Sequence, residues 1–198
     1  LVNSGACGAV LGHCRQVSGA YLNRVAGAHP PHQVHELFVG WATAQIEDDR
    51  LRALFARMAE RSGIDRRWSV LGGEAYHQTE GLAFYGTEAA RSTGERMHVY
   101  AREAPGLALA AIERLQPLGN VTHIVVASCT GFVAPGIDQL IARALDLPGS
   151  VERVLIGYMG CYAGITALRT ARHIVRSQPE ARVLVVTVEL CTLHLRPV

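Results

Sequence analysis

One stretch constrains this chain more than any other: Val154-Leu-Ile-Gly-Tyr-Met-Gly-Cys-Tyr-Ala-Gly-Ile-Thr-Ala-Leu168. Its first residues, Val154 to Ile156, are apolar and partly β-branched, which suits a buried strand. From Ile165 onward, Leu168, Arg172 and Val175 fall at helical spacing with Ile174 beside them, so the side-chain period lengthens from strand to helix. Cys161 sits at the switch. There the first backbone N–H groups of a helix have no internal partners, and their partial positive charge favours thiolate over thiol. Gly157, Gly160 and Gly164 let the chain turn sharply and leave space beside the sulfur. On these residues alone two readings stay open: a buried structural thiol, as most free cysteines are, or an activated nucleophile.

The remainder of the chain limits what such a turn could serve. With 49% hydrophobic and 18% charged residues among 198, this is a globular protein with one sizeable core, or half of a larger α/β unit. A net charge of +2 gives no argument for nucleic acid or an anionic membrane surface. No apolar run reaches the length of a membrane-spanning helix. Every basic residue is arginine, so Schiff-base chemistry has no candidate. Cys7, Cys14, Cys129, Cys161 and Cys191 form no CxxC pair and no zinc-like spacing, so no metal site is expected. An odd number of cysteines without a secretory signal points to free thiols in a reducing cytoplasm. Residues 1–19 are small and Gly-rich, lack a basic n-region and lack an initiator Met. They are expected to be an extension or cloning remnant outside the fold proper, which then covers 20–198.

Ala20 to Ala28 is expected as a first strand, closed by the turn His29-Pro-Pro-His32. Glu36 to Arg61 has helical pattern, broken near Glu47-Asp-Asp49. Leu51, Leu54, Phe55, Met58 and Ala59 form an apolar stripe there. Arg50, Arg57 and Arg61 share another face, either simply solvated or a dock for phosphates, which guanidinium forks bind well. Ser62-Gly63 ends the helix, and an irregular stretch follows through Gly72-Gly73 and Gly86. Thr87 to Gln116 is again helical, with Met97, Tyr100, Ala101 and Ala104 on one side and an expected break at Pro105-Gly106.

From Thr122 the pattern is regular α/β: strand 123–128, helix 135–145, strand 151–156, helix 161–176 and strand 181–189. Near-continuous apolar strands separated by helices imply a mostly parallel sheet flanked by helices. Ligands of such sheets bind beyond the carboxyl ends of the strands. Three ends converge there: Ser128-Cys-Thr-Gly131, Gly160-Cys161 and Glu189-Leu-Cys-Thr-Leu-His194. A cysteine nucleophile needs a base and an oxyanion stabiliser. None of the nine histidines has a context that marks it as that base. His194 follows a strand and is either a site residue or a wall. Cys129 and Cys191 read as small apolar liners. His29, His32 and His35 read as turn residues. Glu189 is expected to orient a loop or the cysteine, and if buried it needs hydrogen-bond partners.

Gly160-Cys-Tyr-Ala-Gly164, Ala181-Arg-Val-Leu-Val-Val186 and Glu189 resemble the chalcone synthase-like type III polyketide synthases of the thiolase superfamily. Ser128-Cys-Thr-Gly131 with Pro135-Gly136 resembles the segment before that family's nucleophile. Phe55-Ala-Arg57 with Arg61-Ser-Gly-Ile64 resembles its coenzyme A-binding helix, although Leu54 stands where the family has a further basic residue. The resemblance runs from about Ala20 to Pro197. It implies an N-terminal thiolase-like α/β half whose Cys161 accepts an acyl group from acyl-CoA for extension with malonyl-CoA. It also implies that Arg57 and Arg61 contact coenzyme A phosphates. Cys129, Cys191, Leu193, His194 and Leu195 would line the cavity, in a manner similar to members that take long fatty acyl starters for alkylpyrones or alkylresorcinols. Coenzyme A thioesters enter as substrates, and no separate cofactor is implied. The family's activating His and Asn are expected beyond Val198, in a C-terminal half absent here. The implied partners are a second copy of the chain, paired around Val151 to Glu189, and that C-terminal half. Two other readings stand beside this one: a ketoacyl-acyl carrier protein synthase III-like condensing enzyme, and a catalytically incomplete binding or dimerisation fragment.

Overall fold

The structure is a computed structural model that describes residues 2–4, 19–76, 84–85 and 91–196. Cys7, Cys14, Gly86, Pro197 and the expected helical residues 87–90 lie outside the described residues. In chain order the strands are β1 (Val2–Ser4), β2 (Ala20–Leu22), β3 (His32–Gln33), β4 (Trp68–Ser69), β5 (His123–Ala127), β6 (Glu152–Ile156) and β7 (Arg182–Thr187). The helices are α1 (His35–Ala44), α2 (Asp49–Arg61), α3 (Thr93–Glu113), α4 (Ile137–Ala144) and α5 (Ala163–Ser177), with short 3₁₀ turns at Gly73–Tyr76, Gly160–Tyr162 and Cys191–His194. Two compact units result, residues 1–28 with 100–189, and residues 29–99 with 190–198.

The first unit is built on a sheet of order β2-β1-β7-β5-β6. β7, β5 and β6 run parallel, with Val125 level with Val185 and Val154. β1 is antiparallel to both β2 and β7. Every residue of β5 is buried, because the central strand has helices on both faces. Val125 and Ala127 pack with Val183 against Ala163, Ala167, Ala171 and Val175 of α5. Those four recur every fourth residue, so they form one helix stripe, and alanine there lets α5 lie close to the strands. Ile124 and Val126 point to the opposite face, where α4 contacts β5 and β6. Burying each Val or Ile in this way stabilises by about 1.5–3 kcal/mol.

Four expectations need correction here. The first strand covers only Ala20–Leu22, not 20–28. Val2–Ser4 is not outside the fold: it pairs with β7, and Val2 completes the core against α5. The segment Val154 to Ile156 is not buried, because among the described residues β6 is an edge strand paired only with β5, leaving Val154 and Leu155 exposed. Pro105 does not split its helix; α3 runs unbroken from Thr93 to Glu113. Ala104, Ala108 and Ile112 form a buried stripe across it, and their packing outweighs the roughly 3 kcal/mol an interior proline costs. The carbonyl that Pro105 leaves without a helical donor belongs to Ala101, which is exposed to water.

The second unit holds α1, α2 and the antiparallel pair β3–β4. Its core is aromatic: Val34, Ala75, Tyr76 and Tyr85, with Phe38, Trp41, Leu71, Phe84 and Leu195 packed against them. The break between α1 and α2 falls where expected, and the Asp48 carboxylate caps α2 by accepting from Leu51 N at 2.9 Å. The apolar stripe of α2 is a correction. Leu51, Leu54 and Met58 are exposed, and the face turned inward carries Arg52, Phe55 and Ala59. Arg52 reaches inward because its guanidinium donates to Ile46 O and pairs with Asp49. His32 and His35 belong to β3 and α1, so only His29 keeps a place in the turn, stacked on Trp68.

Candidate active site

Cys161 lies in the Gly160–Tyr162 turn that joins β6 to α5. Gly160 has φ of 61°, the left-handed region that glycine enters freely, and open space where a Cβ would be. Tyr158 takes a similar φ of 59° while bearing a side chain, at a cost of about 1–2 kcal/mol. The two reversals swing the chain out of the sheet and back, leaving Cys161 exposed as a free thiol at the entrance to α5. Neither the 3₁₀ turn nor α5 has a side-chain cap; the first N–H of α5, Ala163, turns back to Gly160 O, so the N–H groups that precede it in the turn are the ones beside the sulfur. N–H groups placed in this way can polarise a carbonyl oxygen brought to the sulfur.

The carboxyl end of β5 is tied to the other two strand ends. Glu189, just beyond β7, accepts from Cys129 N at 2.8 Å and Thr130 N at 2.9 Å, and from Thr130 Oγ1 at 2.6 Å. Of the two roles open to Glu189, the structure assigns it the loop. The Cys129 thiol donates to Gly160 O at 3.4 Å and accepts from Met159 N at 3.3 Å. Cys129 thus fastens the β5 loop to the Cys161 turn, a polar role beyond that of a small apolar liner.

Beneath the loop is a cavity of 230 Å³ with Cys129, Gly131, Phe132, Ile137 and Leu155 in its walls. This is below the usual size for a whole small-molecule site and fits one arm of a ligand. Tyr100 and Ser128 line it too, and their hydroxyls hydrogen bond to each other. Burial pushes the Tyr100 phenol up to about 12, with smaller upward contributions from Glu189 and Cys129 and a downward one from the Ser128 bond. A Cβ on Gly131 would stand 2.2 Å from the Tyr100 ring, so glycine is required where the loop crosses that ring. Sequence reasoning placed Tyr100 on an apolar helix side and gave Ser128 only a strand end. Nothing local links two residues 28 positions apart.

The base is not supplied by this unit's described residues. Its described histidines are His123, at the start of β5 and so at the opposite end of the sheet, and His173, twelve residues beyond Cys161. At 1.5 Å per residue His173 is roughly 18 Å away along the helix axis. In the second unit Arg57 and Arg61 are exposed on α2, two turns and three turns from Arg50, and no described residue pairs with any of the three. Cys191 and His194 are exposed, Leu193 is fully buried, and Leu195 packs against the aromatic core. No group of three His, Cys, Asp or Glu that could hold a metal occurs among the described residues.

A mostly parallel sheet flanked by helices, with an exposed cysteine on the turn after an edge strand, defines the N-terminal half of a thiolase-like α/β fold. The family model "Chalcone and stilbene synthases, N-terminal domain" matches residues 25–198, and the chain belongs to that family. It is 37% identical over 105 residues to the alpha-pyrone synthesis polyketide synthase-like Pks18 of Mycobacterium tuberculosis, a match covering 50% of this chain and 27% of that protein. Among solved structures it is similar to the C-terminal type III polyketide synthase domain of Steely1 from Dictyostelium (26% identity, TM-score 0.72, 88% of this chain and 49% of that one). It is also similar to CsyB complexed with CoA-SH (25% identity, TM-score 0.69, 85% and 46%). The chain thus spans about half the length of these solved relatives, or less.

Proposed function

We propose that this chain carries the acyl-accepting half-site of a type III polyketide synthase. The Cys161 thiolate attacks the carbonyl of an acyl-CoA; a carbon–sulfur bond forms, and the oxyanion is held by N–H groups of the Gly160–Tyr162 turn. Collapse expels the coenzyme A thiolate, which takes up a proton, and leaves the acyl group as a thioester on Cys161. Decarboxylation of malonyl-CoA then supplies a carbanion that attacks this thioester and returns Cys161 as thiolate. The observation that carries the reading is the exposed Cys161 at an uncapped helix start, braced by Cys129 and Glu189.

Arg57 and Arg61 serve as phosphate contacts for coenzyme A, since both are exposed on one helix and unpaired among the described residues. Cys129 lines the acyl cavity; for Cys191, Leu193, His194 and Leu195 the substrate-contact role rests on the family resemblance alone. The base and the decarboxylating groups come from a C-terminal half of the same enzyme. The likeness to a polyketide synthase named for alpha-pyrone synthesis, and the apolar cavity at Cys129, support long-chain starters and alkylpyrone or alkylresorcinol products.

The active form is a homodimer. Among the described residues β6 has an unpaired edge, and Phe132, Leu155, Tyr158, Tyr162, Ile165 and Leu168 are exposed on and around it, an apolar surface suited to a partner. No helix among the described residues is long and apolar enough to cross a membrane, which accords with a cytoplasmic enzyme. Supplying the full enzyme with a long-chain acyl-CoA and malonyl-CoA tests the function: pyrone or resorcinol products are expected, and simple thioester hydrolysis would contradict it.

A further inference from the structure

The Tyr100 and Ser128 hydroxyls leave one hydrogen unaccounted for. Two O–H groups face each other, and one hydrogen suffices for the bond between them. Whichever donates, the other O–H remains, and no further described group accepts it. Both side chains are more than nine-tenths buried, Tyr100 at 1% and Ser128 at 5% exposure, so bulk water does not satisfy it. Both line the cavity of 230 Å³, whose other walls carry no cation.

We propose that this cavity is a substrate subsite for an apolar chain bearing a neutral hydrogen-bond-accepting oxygen, a hydroxyl or a ketone, which the Tyr100–Ser128 pair reads. Burial and the nearby Glu189 raise the Tyr100 pKa, and the same surroundings disfavour a carboxylate or phosphate as occupant. The buried inner wall, Ile137 beside the Tyr100 ring, takes the chain itself. Cys129 connects the subsite to the nucleophile, since the residue lies in the cavity wall and its thiol donates to Gly160 O next to Cys161. In that respect the inference rests on the acyltransferase reading: the chain is an acyl group loaded on Cys161, and the oxygen lies toward its far end.

Binding and loading are measured separately in the full enzyme. Acetophenone and ethylbenzene, matched in shape and differing in the carbonyl, are titrated against the Cys161→Ala variant by ligand-observed NMR. About five- to tenfold tighter binding of acetophenone is expected, the value of one neutral hydrogen bond. Each single substitution, Tyr100→Phe or Ser128→Ala, leaves one hydroxyl and keeps the preference. The double substitution removes both partners together, is expected to fold normally as judged by its melting temperature, and abolishes the preference. Equal affinities in the parent, or a preference that survives the double substitution, would overturn the proposal. Loading of ω-hydroxydecanoyl-CoA and decanoyl-CoA onto wild-type Cys161 is the second arm. A higher kcat/KM for the hydroxylated chain, lost in the double variant, is expected; equal values would remove the acyl assignment. If neither chain loads, the acyltransferase reading fails, while the binding arm still decides the subsite.

Discussion

Glu189 and Cys129, sixty residues apart, are joined by a hydrogen bond of 2.8 Å from the Cys129 backbone N–H to the carboxylate. With the Thr130 N–H and hydroxyl on the other carboxylate oxygen, this bond makes the end of β7 the anchor of the β5 loop. A carboxylate suits the position because all three partners are donors and both of its oxygens only accept. Glutamine presents one acceptor and turns its NH₂ toward a backbone N–H, and alanine presents neither.

Glu189→Ala is therefore expected to lower the unfolding free energy by about 1–2 kcal/mol, the lower part of the range for charged hydrogen bonds because the side chain is exposed. Glu189→Gln should fall between alanine and the parent. Urea denaturation at neutral pH checks the order; an unchanged midpoint for both variants would mean that the loop holds its shape without the carboxylate.

Gly131→Ala places a methyl group 2.2 Å from the Tyr100 ring, which is buried and has nowhere to retreat. Overpacking of that kind costs about 1–3 kcal/mol. The loop must lift, so the expected signature is a lower melting temperature together with loss of ligand binding in the cavity. A variant as stable as the parent would show that the loop does not rest on the ring.

Replacing Arg57 or Arg61 by Ala is expected to weaken coenzyme A binding by about 1–3 kcal/mol, the range for hydrogen bonds to charged groups, with the loss shrinking at high salt. Isothermal titration at two ionic strengths reads both effects. Equal affinity in variant and parent would return these arginines to a solvated face.

Association follows from the edge strand. Each Å² of apolar surface left in water costs about 25 cal/mol, and Leu155, Tyr158 and Ile165 are all more than half exposed. The chain should dimerise or bind a separately supplied C-terminal half at micromolar concentration. Sedimentation equilibrium of Leu155→Glu beside the parent is the check, with a shift toward monomer expected; a parent that is already a stable monomer would remove the interface.

The turn at Cys161, the strands of the parallel sheet and the meeting of three strand ends were legible because each rests on local periodicity and glycine placement. The exposure of β6 was not, since an edge strand that awaits cover has the same apolar composition as a central one. Pro105 misled because intrinsic propensity is local, whereas Ala104, Ala108 and Ile112 hold the helix through tertiary packing. The inward face of α2 was misjudged for a related reason: Arg52 satisfies its charge on Ile46 O and Asp49, which lets a charged residue take a place that hydropathy assigns to leucine. The pairing of Tyr100 with Ser128 depends on how a helix crosses a strand, which no sequence window contains.

The most direct test is to incubate the protein with an acyl-CoA, quench, digest and map the acyl group by mass spectrometry. The thioester is expected on Cys161 alone, because that exposed cysteine leads into the full-length helix α5, whereas Cys191 opens only a short 3₁₀ turn. An acyl group on Cys129 or Cys191, with Cys161 unmodified, would contradict the account.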